Sequence, residues 1–397
     1  MATFDSEIPI ALIEQLKDLT AQLSSQDANT RKQALLLSKK LTTSLEQPET
    51  AAVELSFSGV IPVAARIGVE LGLFKHISEH DGPIDAAELA KMTGGEELLI
   101  MRILRAMSSI GFVREVDEMK WEANAVTRAM ATDGIAAGHR MLGDTTVLRA
   151  AVAAPKYFKE AGYTCPTDPK DGLMQYAFQS KLSSFDLLAS MPDVLHDFNT
   201  FMGNTMGARE YWTDWYPVQE QLLDGASSDS VLLVDVGGGK GHDIAAFHNK
   251  YPGKGRLVLE DLGAVTNNIG ATLDPAIEVL QYDFFTEQPI EGARAYFFHH
   301  ILHDWSDDVC LDILKHVTKA MKPGYSKLLL HEMIIPAQNA SSFHAMLDLS
   351  MMAFNGGMER TERQWGALLA KAGLDVIKVW PPMQDDADGI VEAVLKA

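Results

Sequence analysis

Cysteine is nearly absent from this chain: 397 residues carry two, Cys165 and Cys310. Two thiols cannot build a disulfide framework, and each reads as a small packing residue in a reducing compartment. Positive charge is scarce as well. Lys and Arg number 34 against 54 Asp and Glu, a formal net charge of −20, and a nucleic-acid partner needs clustered cations that this balance excludes. No run approaches the ~20 apolar residues that span a bilayer. The opening Met-Ala-Thr-Phe-Asp-Ser-Glu lacks the basic stretch of a secretory signal. A cytosolic enzyme or binding protein taking a small neutral or cationic ligand fits these exclusions.

A chain this long exceeds what one hydrophobic core usually serves, so two folded units are expected. The first is an N-terminal helical and winged-helix domain over 1–135, the second a ligand-binding domain over 136–397. From Ile8 to Leu45 apolar residues recur at helical spacing (Ile8, Leu12, Leu16, Leu19, Leu23, Leu35, Leu36, Leu41), which predicts one or two amphipathic helices. Their apolar face needs a partner, and either the same chain or a second copy supplies one. Between Ala64 and Ala131 short helices lead to two strand-like pieces, Ile110–Glu115 and Lys120–Glu122, a winged-helix pattern. No Arg/Lys stripe accompanies its helices, so it reads as a dimerisation scaffold rather than a DNA reader.

The stretch 136–225 is helical and rich in Met and aromatic residues: Met141, Met174, Phe178, Met191, Phe198, Phe201, Met202, Met206, Trp212 and Trp215. Each alone reads as core. Together they could wall a pocket for a planar ligand, with Met191 and Phe201 as candidate substrate contacts. From Ser230 onward short apolar runs (Val231–Val236, Arg256–Leu259, Ala295–Phe298, Lys327–His331) alternate with helical segments, the pattern of an α/β doubly wound, Rossmann-like parallel sheet. Ligands of such sheets sit at the carboxyl ends of the strands.

One such end carries Asp235-Val-Gly-Gly-Gly-Lys-Gly241. Gly237, Gly238, Gly239 and Gly241 let backbone approach a ligand closely. No Lys-Ser/Thr follows, so this is not a phosphate loop, and His242 stands where a dinucleotide fingerprint has its third glycine. Asp235 would repel a pyrophosphate but accept from an ammonium. That sign favours S-adenosylmethionine over NAD. About 20 residues on, Glu260 or Asp261 is placed to accept from ribose hydroxyls. Asp283 with Phe284 and Phe285 follows a further strand, suited to an adenine amino group and ring face.

The run Phe298-His-His-Ile-Leu-His-Asp-Trp-Ser306 passes from strand to helix, with Ser306 as cap and Asp307 and Asp308 in the first turn. His303, at the strand's carboxyl end, is suited to taking a proton from a phenol. A metal held by His299, His300 and His303 is disfavoured, because neighbours on an extended segment point to opposite faces and His331-Glu332 lacks the second histidine of the helical zinc signature. Glu332 at a strand end and Glu359, just before the capping box Thr361–Gln364, are carboxylates that could fix the His303 tautomer.

With these motifs assembled, the sequence resembles the homodimeric small-molecule O-methyltransferases of plants and fungi, the caffeic acid O-methyltransferase-like family, over about residues 50–397. The resemblance implies a winged-helix dimerisation region followed by a seven-stranded, mostly parallel methyltransferase sheet closed by an antiparallel hairpin. It implies S-adenosylmethionine contacts at Gly237, Gly238, Asp261 and Asp283-Phe284, with His299 at the cofactor edge. It makes His303 the base, Glu332 and Glu359 its flanking carboxylates, and Met351 and Asn355 acceptor contacts, and it selects Asp261 over Glu260. The departures are His299-His300 for a Lys-Trp pair, Gly263 for Pro, Lys240 for Ser or Thr, and Met358 for Lys. The implied reaction is metal-independent methyl transfer to a hydroxyl of a small aromatic or polyketide-type secondary metabolite. Two rivals stand beside it: a fungal pericyclase that keeps the cofactor without transferring its methyl, and a non-catalytic cofactor-binding protein.

Overall fold

The computed structural model describes residues 7–23, 28–143, 146–203, 211–267, 269, 273–382 and 387–397; Met206 lies outside them. The chain divides into two compact units, one to Ala64 and one from Ala65. The first consists of the helices Glu7–Asp18, Thr20–Leu23, Ala28–Leu45 and Pro48–Ser58 and the start of Val60–Glu70. Leu12, Leu19 and Leu37 are buried together with Leu16 and Leu41 against them, so part of the expected stripe closes on its own helices. The rest stays open. Ile8, Leu23, Leu35 and Leu36 are exposed, as are Leu55 and Phe57.

The second unit begins with a small helical layer and three short strands, β1 (Ile84–Asp85), β2 (Arg114–Asp117) and β3 (Lys120–Glu122), paired antiparallel in the order β1-β3-β2. The strand expected from Ile110 starts only at Arg114. Gly111 takes φ +76° and the Phe112 amide donates to Met107, so Ile110–Val113 terminates the helix Glu97–Ser109 instead. Further helices follow from Ala125 to Phe201, and the expected helical stretch 136–225 continues among the described residues as the short turns Trp212–Asp214 and Gln219–Leu223. Several of its aromatics are core: Trp212 is fully buried, stacked on Phe297 at 4.8 Å between ring centroids.

The main sheet has seven strands: β4 (Val231–Val236), β5 (Arg256–Asp261), β6 (Ile277–Gln281), β7 (Ala295–His299), β8 (Lys327–Glu332), and, after the two-residue strands β9 (Ile334–Ile335) and β10 (Arg360–Thr361), β11 (Leu374–Trp380) and β12 (Gly389–Leu395). Their order is β11-β12-β8-β7-β4-β5-β6. The five strands from β6 to β8 run parallel, and β12 and β11 close the edge antiparallel. Successive side chains serve opposite faces: Val234, Tyr296 and Phe298 enter one apolar cluster, Leu233, Phe297 and Leu329 the other. Both faces are covered, which is why these strands read as continuous apolar runs. The chain leaves β4 for β5 on one side and returns to β7 on the other, so the switch point, where such sheets bind ligands, falls at the ends of β4 and β7.

Candidate active site

At the end of β4 the glycine loop folds back onto β5. The Glu260 carbonyl accepts from the Gly237 amide at 2.8 Å, and the Asp261 carboxylate accepts from the Gly239 amide at 2.8 Å. Gly237 has φ +71°, a left-handed conformation that suits glycine. A Cβ on Gly238 would stand 2.5 Å from the Asp235 carboxylate and from Leu259 Cδ1, so the cradle admits no side chain at this position. Adjacent strand residues point apart, and the two acids of β5 obey this: Asp261 faces the loop, while Glu260 is fully buried and takes a hydrogen bond from Gln288. Burial pushes Glu260 up to about 7.

Asp235 is 1% exposed, and neither carboxylate oxygen has a hydrogen-bond partner among the described residues. Burial raises its pKa well above the usual carboxylate range, as does nearby Asp243, against the pull of His299. Such a group calls for a donor, preferably a cationic one. The orphaned acid and the side-chain-free cradle together fit an amino-acid-bearing nucleoside. Phe284 lies 3.8 Å from the Cβ position of Gly237, and Phe285 meets Trp305 edge-on at 5.1 Å. Asp283 is exposed and accepts from the Phe285 amide. At Gly263, where relatives were expected to carry Pro, the Gln281 side chain fills the space at 2.6 Å.

His303 sits in a short turn, Leu302–Asp304, just beyond β7. Its Nδ1 lies 2.7 Å from Glu359 Oε1, and its Nε2 lies 3.7 Å from Asp304 Oδ1. Although 56 residues apart in sequence, His303 and Glu359 meet for a structural reason: β10 pairs with β9, Arg360 opposite Ile334, and so brings Glu359 to the end of β8. Burial opposes a charged imidazole here, but Asp304, Glu332 and Glu359 outweigh it and carry His303 to about 10. Glu332 plays a different part from Glu359. Its Oε1 accepts from the amides of Ile301 and Leu302, at 3.2 and 2.9 Å, and so holds the turn rather than the ring; burial raises it to about 7.

Arg360, fully buried, was not singled out in the sequence. Its guanidinium donates to the carbonyls of Leu302 and Trp305 on either side of His303 and to Asp307, and it lies over Trp365. Asn355 is 1% exposed; its amide nitrogen donates to the Asp304 carbonyl, and its oxygen has no partner among the described residues. Met351 stands half-buried on the same helix, Ser342–Asn355. Met191 packs against the cluster of Leu173, Met174 and Phe354, and the Phe201 ring lies over the backbone of Gly138, a helix-packing contact. Ser306 occupies the cap position but does not cap: its hydroxyl donates to the Thr167 carbonyl.

His299 and His300 were expected to diverge, yet their ring centroids are 4.6 Å apart and both approach Asp388, at 3.7 and 2.7 Å. The reason is the backbone: His300 has φ +52°, which breaks the alternation of an extended strand. His299 Nδ1 is 2.7 Å from Asp243, and the ring of His331, level with it on β8, lies tilted against it by 36°, centroids 4.1 Å apart. Donor atoms of Asp243, His299 and His331, and of His299, His300 and Asp388, fall within 4.8 Å of one another. Burial disfavours charge on His299, but the two aspartates outweigh it and raise its pKa well above the usual histidine range. Burial pushes His331 down to about 3, with His299 adding to the effect. Neither Asp243 nor Asp388 was predicted.

A doubly wound sheet, an orphaned acid before a glycine cradle and a carboxylate-bound histidine at the switch point define an S-adenosylmethionine-dependent methyltransferase. Residues 215–375 match an O-methyltransferase domain family and residues 53–133 an O-methyltransferase dimerisation domain family. O-methyltransferase penC of Penicillium thymicola is 49% identical over 388 residues, covering 97% of each chain. O-methyltransferase asqD of Emericella nidulans is 52% identical over 337 residues, covering 84% of this chain and 86% of that one. Among solved structures, LepI in complex with S-adenosylmethionine superposes with a TM-score of 0.87 at 31% identity, covering 98% of this chain and 100% of that one. OxaC in complex with sinefungin and meleagrin does so with 0.85 at 26%, at the same coverage. The chain belongs to the O-methyltransferase family, and it uses S-adenosylmethionine as cofactor.

Proposed function

We propose that the protein methylates a hydroxyl of a small aromatic or polyketide-type secondary metabolite, with His303 as general base. The observation that carries this reading is the buried His303–Glu359 pair at 2.7 Å. A carboxylate on Nδ1 keeps a proton there, so that the neutral form of the ring presents its lone pair at Nε2, the arrangement a base requires. Asp235, the Gly237–Gly239 backbone, Asp261, Asp283, Phe284 and His299 hold the cofactor in this reading. S-adenosylmethionine supplies the electrophilic methyl group. His303 Nε2 takes the acceptor's hydroxyl proton and keeps it on a ring whose charge Glu359, Glu332 and Asp304 offset. Met351 and Asn355, with Met191 on the helical side, line the acceptor.

We read residues 1–135 as the dimerisation domain and 136–397 as the catalytic domain, with 136–225 forming the acceptor pocket. The exposure of Leu55 and Phe57, 75% and 70%, favours a homodimer, since apolar side chains in such numbers are normally covered. No single helix among the described residues is long and apolar enough to cross a membrane. Both cysteines are free, which suits a cytosolic location.

A structural neighbour described as a pericyclic reaction enzyme is 31% identical and covers 98% of this chain, which favours, as a second reading, a pericyclase that keeps the cofactor's methyl group. One experiment separates the two. The protein is incubated with methyl-labelled S-adenosylmethionine and a panel of phenols and hydroxypyridones, following label transfer and unlabelled isomerisation together. Labelled product that disappears in His303→Ala supports methyl transfer; isomerised product without label overturns it.

A further inference from the structure

His300 has no part in the site as derived so far, yet it is held in a manner that packing does not require. Its backbone occupies the left-handed region, φ +52°, unfavourable for a side chain bearing a Cβ. Its Nε2 is 2.7 Å from Asp388 Oδ1, and its ring lies on that of His303, centroids 4.9 Å apart and planes 26° apart. Asp388 arrives from the start of β12, which pairs with β8, Gly389 opposite Glu332. Its second oxygen lies 3.7 Å from His299 Nε2, and His299 Nδ1 lies 2.7 Å from Asp243, in the first turn of the helix His242–Lys250 that follows the glycine loop. An alternating chain of carboxylates and imidazoles therefore runs from the cofactor loop to the face of the base.

The charges along this chain are ordered. His299 is held positive between two carboxylates. Burial, with His299 and His303 adjacent, keeps His300 neutral despite Asp388. A neutral ring is the neighbour His303 needs when it takes a proton, since a second cation at that distance would repel the charge it acquires.

We propose that His300 is a positioning residue for methyl transfer: locked in plane by Asp388, its ring holds the His303 ring with Nδ1 on Glu359 and Nε2 toward the acceptor. The proposal rests on His303 being the base. It also gives the His299-His300 departure a role, because the chain through Asp388 and Asp243 ties the base's ring to the helix behind the cofactor cradle.

The test uses the full-length protein. His300→Asn tolerates the left-handed backbone and keeps a donor for Asp388, but removes the ring; His300→Phe keeps a ring and loses the Asp388 bond. With a phenol accepted by the wild type, kcat is expected to fall roughly ten- to a hundredfold in His300→Asn, the scale of a misplaced reacting group. The KM for S-adenosylmethionine and its dissociation constant by calorimetry should stay within about twofold. Should His300→Asn not fold, His300→Phe carries the test with the same split expected. A second readout needs no acceptor. In protein saturated with S-adenosylhomocysteine, the His303 ring resonance, identified by its loss in His303→Ala, should move when the His300 ring is removed. Wild-type kcat in the His300 variants while His303→Ala is inactive overturns this proposal alone, as does an unmoved resonance or a loss that falls on cofactor affinity. Undiminished kcat in His303→Ala removes the base reading first, and this proposal with it.

Discussion

Replacing Glu359 by Gln tests the base most directly. Glu359 is 1% exposed, and its Oε2 has no partner among the described residues, so the carboxylate's main polar duty is the 2.7 Å contact with His303 Nδ1. Gln keeps the shape and removes the charge. If its NH2 turns toward Nδ1, the ring proton is forced onto Nε2, where the base must offer a lone pair. In serine-protease triads the equivalent change costs about 10⁴ in kcat, and general-base catalysis is worth about 10²- to 10⁴-fold, so kcat should fall roughly 10²- to 10⁴-fold. The pH profile supplies an independent sign. Neutral His303 is the active form, so the rate climbs as pH rises through its pKa, which stands at about 10 because Asp304, Glu332 and Glu359 outweigh burial. Removing one of those charges lowers that pKa, so the acid limb of kcat/KM must move to lower pH even as the ceiling drops. The stability sign agrees: a histidine raised above its usual ~6.5 stabilises the fold fully below that pH, and the contribution is lost as pH climbs through about 10. The thermal midpoint of Glu359→Gln should therefore fall more at pH 6 than at pH 10. Label transfer from S-adenosylmethionine between pH 6 and 10, with the cofactor dissociation constant as control, reads the kinetic terms. Wild-type kcat, or an acid limb displaced upward, would refute the reasoning.

Glu332→Gln keeps an acceptor for the Ile301 and Leu302 amides but removes a carboxylate that burial raises to about 7. That group's stabilising contribution is present below its usual pKa and lost as pH rises through 7, so the variant should melt higher than wild type at pH 8 and alike at pH 4; a lower midpoint at pH 8 contradicts this. Gly238→Ala drives a Cβ to 2.5 Å from Asp235 and Leu259, and overpacking of about 1–3 kcal/mol should weaken S-adenosylmethionine binding roughly ten- to a hundredfold by calorimetry; unchanged affinity would show the cradle is not where the cofactor sits. Leu55→Glu with Phe57→Glu, at positions 75% and 70% exposed, should convert a dimer to a monomer in light scattering at micromolar concentration, with each monomer still binding the cofactor; a dimer that persists moves the interface elsewhere.

What the sequence made legible were features carried by local pattern. Val231–Val236 and Lys327–His331 could be read as strands because burial on both faces fills their centres with apolar residues. The glycine loop was legible because its turns need residues without a Cβ. The capping box at Thr361 formed as its spacing predicted. The errors share one cause: they turn on where the backbone leaves its regular repeat or where segments distant in sequence meet. Period-2 alternation sent His299 and His300 to opposite faces, and a single left-handed residue brought them together. Ser306 had the right neighbours for a cap, but a carbonyl 139 positions away, that of Thr167, took its proton. Asp388 carried no local signal, since β12 must first return beside β8 before its carboxylate reaches two histidines 88 and 89 positions earlier. Arg360 follows Glu359 directly, and the pattern marked only the glutamate. Yet the pairing of β10 with β9 delivers both at once, one to the imidazole and the other to the carbonyls beside it. The orientation of the base is therefore set by strand register rather than by any motif that contains His303.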